Sequence, residues 1–122
     1  DYAGIRGQNI TGLAITTDTG YIKYRVHVDS GWLDFIDSSN TDINDYYNGY
    51  AGNDTPVDAV EIYYYTPDYI IKSSGYHYAF YRVSPVNGNY YSYQKDNNKD
   101  NGIDGYAGIW GHFIDRLQID IR

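Results

Sequence analysis

One phrase is written three times in this chain. Tyr2-Ala3-Gly4, Tyr50-Ala51-Gly52 and Tyr106-Ala107-Gly108 each lead through a short loop into a strand with apolar residues at alternate positions. The strands are Leu13 and Ile15 in the first copy, Val57 to Tyr65 in the second, and Leu117 and Ile119 in the third. Self-similarity of this kind makes one supersecondary unit, used repeatedly, the building block of the fold.

A second phrase precedes two of the three copies. In Tyr21–Val28, Ile22, Tyr24, Val26 and Val28 alternate with Tyr21, Lys23, Arg25 and His27, the pattern of a half-buried strand with one wet face. Tyr81-Arg82-Val83 repeats Tyr24-Arg25-Val26, and Tyr24 to Tyr50 spans 26 residues where Tyr81 to Tyr106 spans 25. Gly31 delivers a short strand over Trp32–Ile36, whose place is taken by Asn89–Tyr93 in the next unit. No stretch sustains a helical period for three turns.

The chain therefore reads as all-β, with antiparallel sheets built from internal repeats. It forms one domain, 1–122, in repeat pieces 1–16, 21–65 and 69–122. Three second halves and two first halves fit a closed pseudo-threefold structure, β-prism-like or β-trefoil-like, or a larger parent cut inside its first unit. A β-sandwich is the alternative.

Composition narrows the partners. The net charge is −7, which argues against nucleic acid and anionic membrane surfaces, since those select Lys and Arg patches. There is no cysteine, so neither disulfides nor thiolate metal sites are available, and no apolar run is long enough for a membrane span. No basic-then-apolar segment opens the sequence, so any export signal would lie beyond it. Against 3 phenylalanines stand 17 tyrosines, which suit half-buried strands and can also present rigid flat faces to a ligand such as a sugar ring.

Tyr24-Arg25-Val26-His27, Gly31-Trp32, a polar Asn/Asp loop, Asn48-Gly49-Tyr50-Ala51-Gly52 and Ile114-Asp115-Arg116-Leu117-Gln118-Ile119 together carry a family resemblance. They resemble the C-terminal cell-wall-binding repeats of secreted Gram-positive peptidoglycan hydrolases, and are similar to the clostridial hydrophobic repeat with its Gly-Trp pair. The resemblance covers 21–65 well, 76–122 more loosely, and 1–16 by its second half. It implies a non-catalytic, lectin-like module, extracellular or cell-wall associated, that docks an attached catalytic domain on polysaccharide or peptidoglycan. Two positions depart from the pattern: Tyr90 stands near the place of Trp32, and Asp54 near that of Gly111. A site built on Trp32 would be altered in the second unit.

Chemistry is harder to find. His27, His77 and His112 lack a second histidine at metal-type spacing. His27 is expected on a wet strand face. Asp58 and Asp115 share one repeat position, where the first copy has Thr11; carboxylates repeated by symmetry do the same job, whereas acid–base catalysis needs two different environments. Turn capping, or pairing of Asp115 with Arg116, is the expected role, and no enzyme activity is expected. Asp96, Asn98 and Asp100 alternate as in a calcium loop, with Asp42, Asn44 and Asp45 at the equivalent place. Positions six and twelve from Asp96 are Asn101 and Ala107, which fails the helix-flanked calcium motif. No cofactor is expected, with calcium as the alternative.

The candidate ligand platforms are Trp32, Tyr46, Tyr47, Tyr90, Tyr91 and Trp110, with Asp45, Asn48, Asn101 and Asp104 as polar partners. Tyr50 and Tyr106, set by the repeat, are expected in the core. The competing class is a protein-interaction or adhesin-type structural domain that uses the same tyrosines as interface anchors.

Overall fold

The computed structural model describes residues 2–45, 49–96, 99 and 104–122. Along the chain these form β1 (Ala3–Gly4), β2 (Tyr21–Val28), β3 (Gly31–Trp32), β4 (Ile36–Asp37) and β5 (Ala59–Tyr65). A short helix α1 (Asp68–Ser74) is followed by β6 (Ala79–Pro85), β7 (Gln94–Lys95), β8 (Ala107–Gly108) and β9 (Ile114–Ile121). The fold is mostly β, in two antiparallel sheets. One sheet runs β1-β9-β6-β7; the other runs β3-β2-β5-β8, with β4 also on β2.

Each sheet is centred on a long antiparallel pair. Tyr24 faces Ile62 across β2 and β5, and Tyr81 faces Ile119 across β6 and β9. The alternation read from the sequence holds: Ile22, Tyr24, Val26 and Val28 are buried, as are Val60, Ile62 and Tyr64 opposite them. Ala79, Tyr81 and Val83 of β6 join them with Ile114 and Leu117 in one apolar core. Burying such side chains contributes on the order of 2 kcal/mol each, enough to hold the strands face to face.

Two local expectations change. The strand foreseen over Trp32–Ile36 is interrupted: His27 pairs with Trp32, but Tyr24 pairs with Ile36, so the register slips by one residue through 33–35. The slip lets Leu33 pack on the core while Phe35 stays half-buried on the outer face, under Lys23 and Arg25. The extra length between the second and third copies holds α1. Asp68 in its first turn and Lys72 in its last complement the helix dipole. Gly75, with φ 89°, ends it by donating its N–H to Ile71 O.

The three Tyr-Ala-Gly phrases explain their glycines. Ala3 and Gly4 pair with Leu117 and Arg116, Ala51 with Leu13, and Ala107 and Gly108 with Val60 and Ala59. Each phrase thus lies against the strand of a different copy. Gly4, Gly52 and Gly108 have φ of 109°, 130° and 116°. A Cβ on them would sit 2.0 Å from Asp115 O, 2.6 Å from Thr11 O and 2.2 Å from Asp58 O. Only glycine allows both the backbone angle and the approach.

Just before those three carbonyls, the backbone closes a ring. Ile10 N–H donates to Ile114 O at 2.9 Å, Ile114 N–H to Val57 O at 3.0 Å, and Val57 N–H to Ile10 O at 2.9 Å. One residue from each copy takes part, so residues 2–16 are tied to both long strand pairs.

The buried aspartate beside this ring is structural. Asp115 Oδ2 accepts from Gly7 N–H and Asn87 N–H, both at 2.8 Å, and its Oδ1 accepts from Arg116 Nε at 3.0 Å. Burial alone would raise the carboxyl's pKa, but these donors outweigh it and hold Asp115 below its ordinary value. Pairing with Arg116 is as expected.

Candidate ligand-binding cleft

Strand alternation places Lys23, Arg25 and His27 on one face of β2, and the cross-strand register sets Tyr63 and Glu61 of β5 opposite the first two. Arg25 donates through Nε and Nη2 to Glu61 Oε1, at 2.9 and 2.7 Å. Tyr63 OH donates to the other carboxylate oxygen, Oε2. The guanidinium also lies 4.5 Å from the Trp32 ring and 4.6 Å from the Phe35 ring. A polar floor with a fixed hydrogen-bond pattern is thereby walled by aromatic faces.

His27 sits where a wet residue was expected, yet it is buried. Two indoles cover it: Trp110 stacks on its ring at 4.6 Å and 1°, and Trp32 meets it edge-on at 5.2 Å. Its Nδ1 lies 2.6 Å from Asp58 Oδ1. The other oxygen, Oδ2, accepts from Gly111 N–H at 2.7 Å. A carboxylate only accepts, so Nδ1 carries the proton it shares with Asp58. One aspartate therefore orients both the imidazole and the turn that carries Trp110.

That turn is tight. His112 N–H donates to Ile109 O at 2.9 Å, and Gly111 adopts φ 89°. Trp110 is held flat on His27 and is still 55% exposed. Tyr106, expected in the core, is half-buried at the cleft instead: its ring meets Trp32 at 5.6 Å and Trp110 at 6.0 Å. Between Trp32, Tyr106, Trp110, Arg25, Glu61 and Lys99 lies an open cleft of about 440 Å³.

The same positions in the next unit are filled differently. Arg82 Nε donates to Gln118 Oε1 at 2.7 Å, and its guanidinium lies 4.4 Å from Tyr90 and 4.6 Å from Tyr93. Arg116 comes within 5.2 Å of Tyr90 from the position that Ala59 holds in the first cluster. Arg6 and Tyr2 stand at the repeat positions of Trp110 and Tyr106. No indole closes that second cluster.

Of the residues singled out in the sequence, Trp32 and Trp110 come together in the cleft. Asp104 adjoins it through Gly105, and its N–H donates to Gln94 Oε1 at 2.7 Å. Tyr90 belongs to the Arg82 cluster. Tyr91 packs against the core and donates its N–H to Val83 O, as Leu33 does to Val26 O. Asp45 lines a separate recess with Phe35 and Asp42. Tyr46, Tyr47, Asn48 and Asn101 lie outside the described residues.

Asp96, considered for calcium, is buried and accepts from Ala79 N–H at 2.8 Å and Tyr64 N–H at 3.3 Å. Burial outweighs these donors and raises its pKa above the ordinary value. Asp42 Oδ1 caps its own turn through Asn44 N–H at 2.9 Å. Asn98 and Asp100 fall outside the described residues. Among the described residues no three His, Cys, Asp or Glu side chains converge as a metal site.

Arg25, His27, Glu61, Tyr63 and Tyr106 were not among the sequence candidates for the cleft. The alternation already put Arg25 and His27 on one face. What it lacked was the strand register that brings Glu61 alongside and the turn that lays Trp110 on top. Comparison with protein-family models, characterised proteins and solved structures finds no match to this chain.

Proposed function

We propose that this chain is a non-catalytic carbohydrate- or cell-wall-binding module, with the Trp32–Tyr106–Trp110 cleft as its site. The observation that carries the reading is Trp110. An indole more than half exposed is costly on a surface, yet here it is locked parallel to His27 by the Asp58–Gly111 contact. A rigid, exposed aromatic face beside oriented polar groups suits a sugar ring, whose C–H face stacks while its hydroxyls exchange hydrogen bonds. Arg25, Glu61 and Tyr63 supply those groups.

The repeats extend the reading to architecture. We infer that pieces 1–16, 21–65 and 69–122 form three related units with pseudo-threefold symmetry about the Ile10–Val57–Ile114 ring. The ring and the Gly4, Gly52 and Gly108 approaches support a prism- or trefoil-like plan over a sandwich. The resemblance to wall-binding repeats of secreted Gram-positive hydrolases points to an extracellular setting, an attached catalytic domain, and polysaccharide or peptidoglycan as ligand.

Retention of the purified chain on Gram-positive cell walls, followed by a glycan array, tests this. Trp110→Ala is expected to weaken binding at least about tenfold, the size of one aromatic anchor, with far-UV circular dichroism unchanged. Binding to no glycan, with capture by a wall protein instead, would replace the reading by a protein-interaction domain. Unchanged binding of the Trp110 variant would move the site elsewhere.

A further inference from the structure

The strands that end the three copies leave three gaps between them, and two are filled in the same manner. Between 13–15 and β5 lies β2: its Tyr24 is paired with Ile62, and its hydroxyl accepts from Ile15 N–H at 3.1 Å. Between β5 and β9 lies β6: its Tyr81 is paired with Ile119, and its buried hydroxyl donates to Asp96 O at 2.8 Å. Asp96 Oδ1 further ties Tyr64 N–H to Ala79 N–H across that second junction.

The third gap, between β9 and residues 13–16, holds no such strand among the described residues. It is an open groove of about 380 Å³, with Leu13, Ile15, Leu117 and Ile119 among its lining residues. Leu13 already exchanges both backbone bonds with Ala51, and Ile15 is held by Tyr24 and Thr41. Ala14 and Thr16, between and beyond them, are exposed and have no backbone hydrogen-bond partner among the described residues. In an extended segment their N–H and C=O groups point to the opposite side from those of Leu13 and Ile15. This is an unpaired strand edge beside an apolar floor.

We propose that this groove binds an extended peptide strand of the repeat's own first-half type, antiparallel to Gly12–Thr16. The occupant has the pattern of Tyr21–Val28, with apolar side chains at every second position and a tyrosine at the fourth. Its tyrosine stands opposite Ile15, as Tyr24 stands opposite Ile62, and its hydroxyl reaches the backbone of Ile119, as that of Tyr24 reaches Ile15. A valine two residues later covers Leu13, as Val26 covers Val60. Main-chain pairing supplies the affinity, and the alternating pockets supply the register. The groove and the aromatic cleft are separate sites, so this inference stands or falls apart from the glycan reading.

The test is titration of the full chain with a capped octapeptide copying residues 21–28, followed by amide NMR and hydrogen exchange. Saturable binding is expected, with the Ala14 and Thr16 amides slowed in exchange and the Trp110 indole unmoved. Replacing the peptide's tyrosine (the copy of Tyr24) by alanine is expected to weaken binding at least about tenfold, the scale of a buried aromatic anchor. Ala14→Pro in the protein, which removes an edge donor at an exposed position, is expected to do the same. A scrambled peptide that binds equally well, shifts centred on Trp110, or no saturation at millimolar peptide would overturn the proposal. A chain that dimerises through the groove and excludes the peptide would overturn it in favour of a second copy.

Discussion

His27 and Trp110 lie face to face, 4.6 Å between ring centroids and 1° from parallel, although 82 intervening residues separate them in sequence. Neither ring fixes the other alone. Asp58 holds His27 by one oxygen and the Gly111 amide, next to Trp110, by the other.

Asp58→Ala is therefore expected to loosen both partners at once. Removing a buried acceptor leaves two donors unpaired, at about 1–3 kcal/mol for the stability of the chain. Tryptophan fluorescence should report it as a red-shifted, more quenchable Trp110. If the cleft binds glycan as proposed, that affinity is expected to fall several-fold further than stability loss alone accounts for. Unaltered fluorescence would detach Asp58 from the cleft.

The glycines of the repeat divide by what surrounds them. Gly108→Ala meets Asp58 O at 2.2 Å with φ at 116°, so backbone must move and stability is expected to drop by more than about 2 kcal/mol. Gly111→Ala has φ 89° but, among the described residues, nothing within 4 Å of the added carbon, so only the conformational cost of about 1–2 kcal/mol applies. Urea unfolding of the two variants, compared side by side, checks the ordering.

Two buried aspartates should pull in opposite directions as pH falls. The Asp115 pKa is lowered in the fold, so its stabilisation is complete above the ordinary value of 3.8 and is lost as pH drops through the lowered native value. The Asp96 pKa is raised, so the folded state takes up its proton first and gains stability as pH falls from that raised value toward 3.8. Asp115→Asn is expected to destabilise the chain at pH 7 and flatten its acid limb. Asp96→Asn keeps an oxygen for Ala79 and Tyr64 and is expected to be neutral or stabilising at pH 7. Thermal melts from pH 3 to 7 separate the two.

Tyr24→Phe removes the hydroxyl that accepts from Ile15 N–H and meets Thr41 Oγ1 at 2.8 Å. The ring stays, so the loss isolates the polar contact, at about 1–2 kcal/mol. Hydrogen exchange at Ile15 should quicken more than exchange at Val60. Equal acceleration at both would mean global rather than local loosening.

Much of this molecule is legible in its text. Alternation along Tyr21–Val28 and Val57–Tyr65 specifies which side chains enter the core, because a strand has a period of two and one face must leave water. The triple Tyr-Ala-Gly marks the places where backbone meets backbone, because only glycine fits there. Trp32 and Trp110 stand out as the two indoles in a tyrosine-rich chain. Tertiary structure alone decided the rest. Which strands pair, and in what register, depends on contacts between residues far apart in sequence, and those contacts put Glu61 beside Arg25. The docking of the Trp110 turn on β2 made His27 a buried support rather than a wet surface residue, and brought Tyr106 from its expected place in the core to the wall of the cleft. Periodicity is a local property of the chain, whereas this cleft is assembled from several strands and a turn at once.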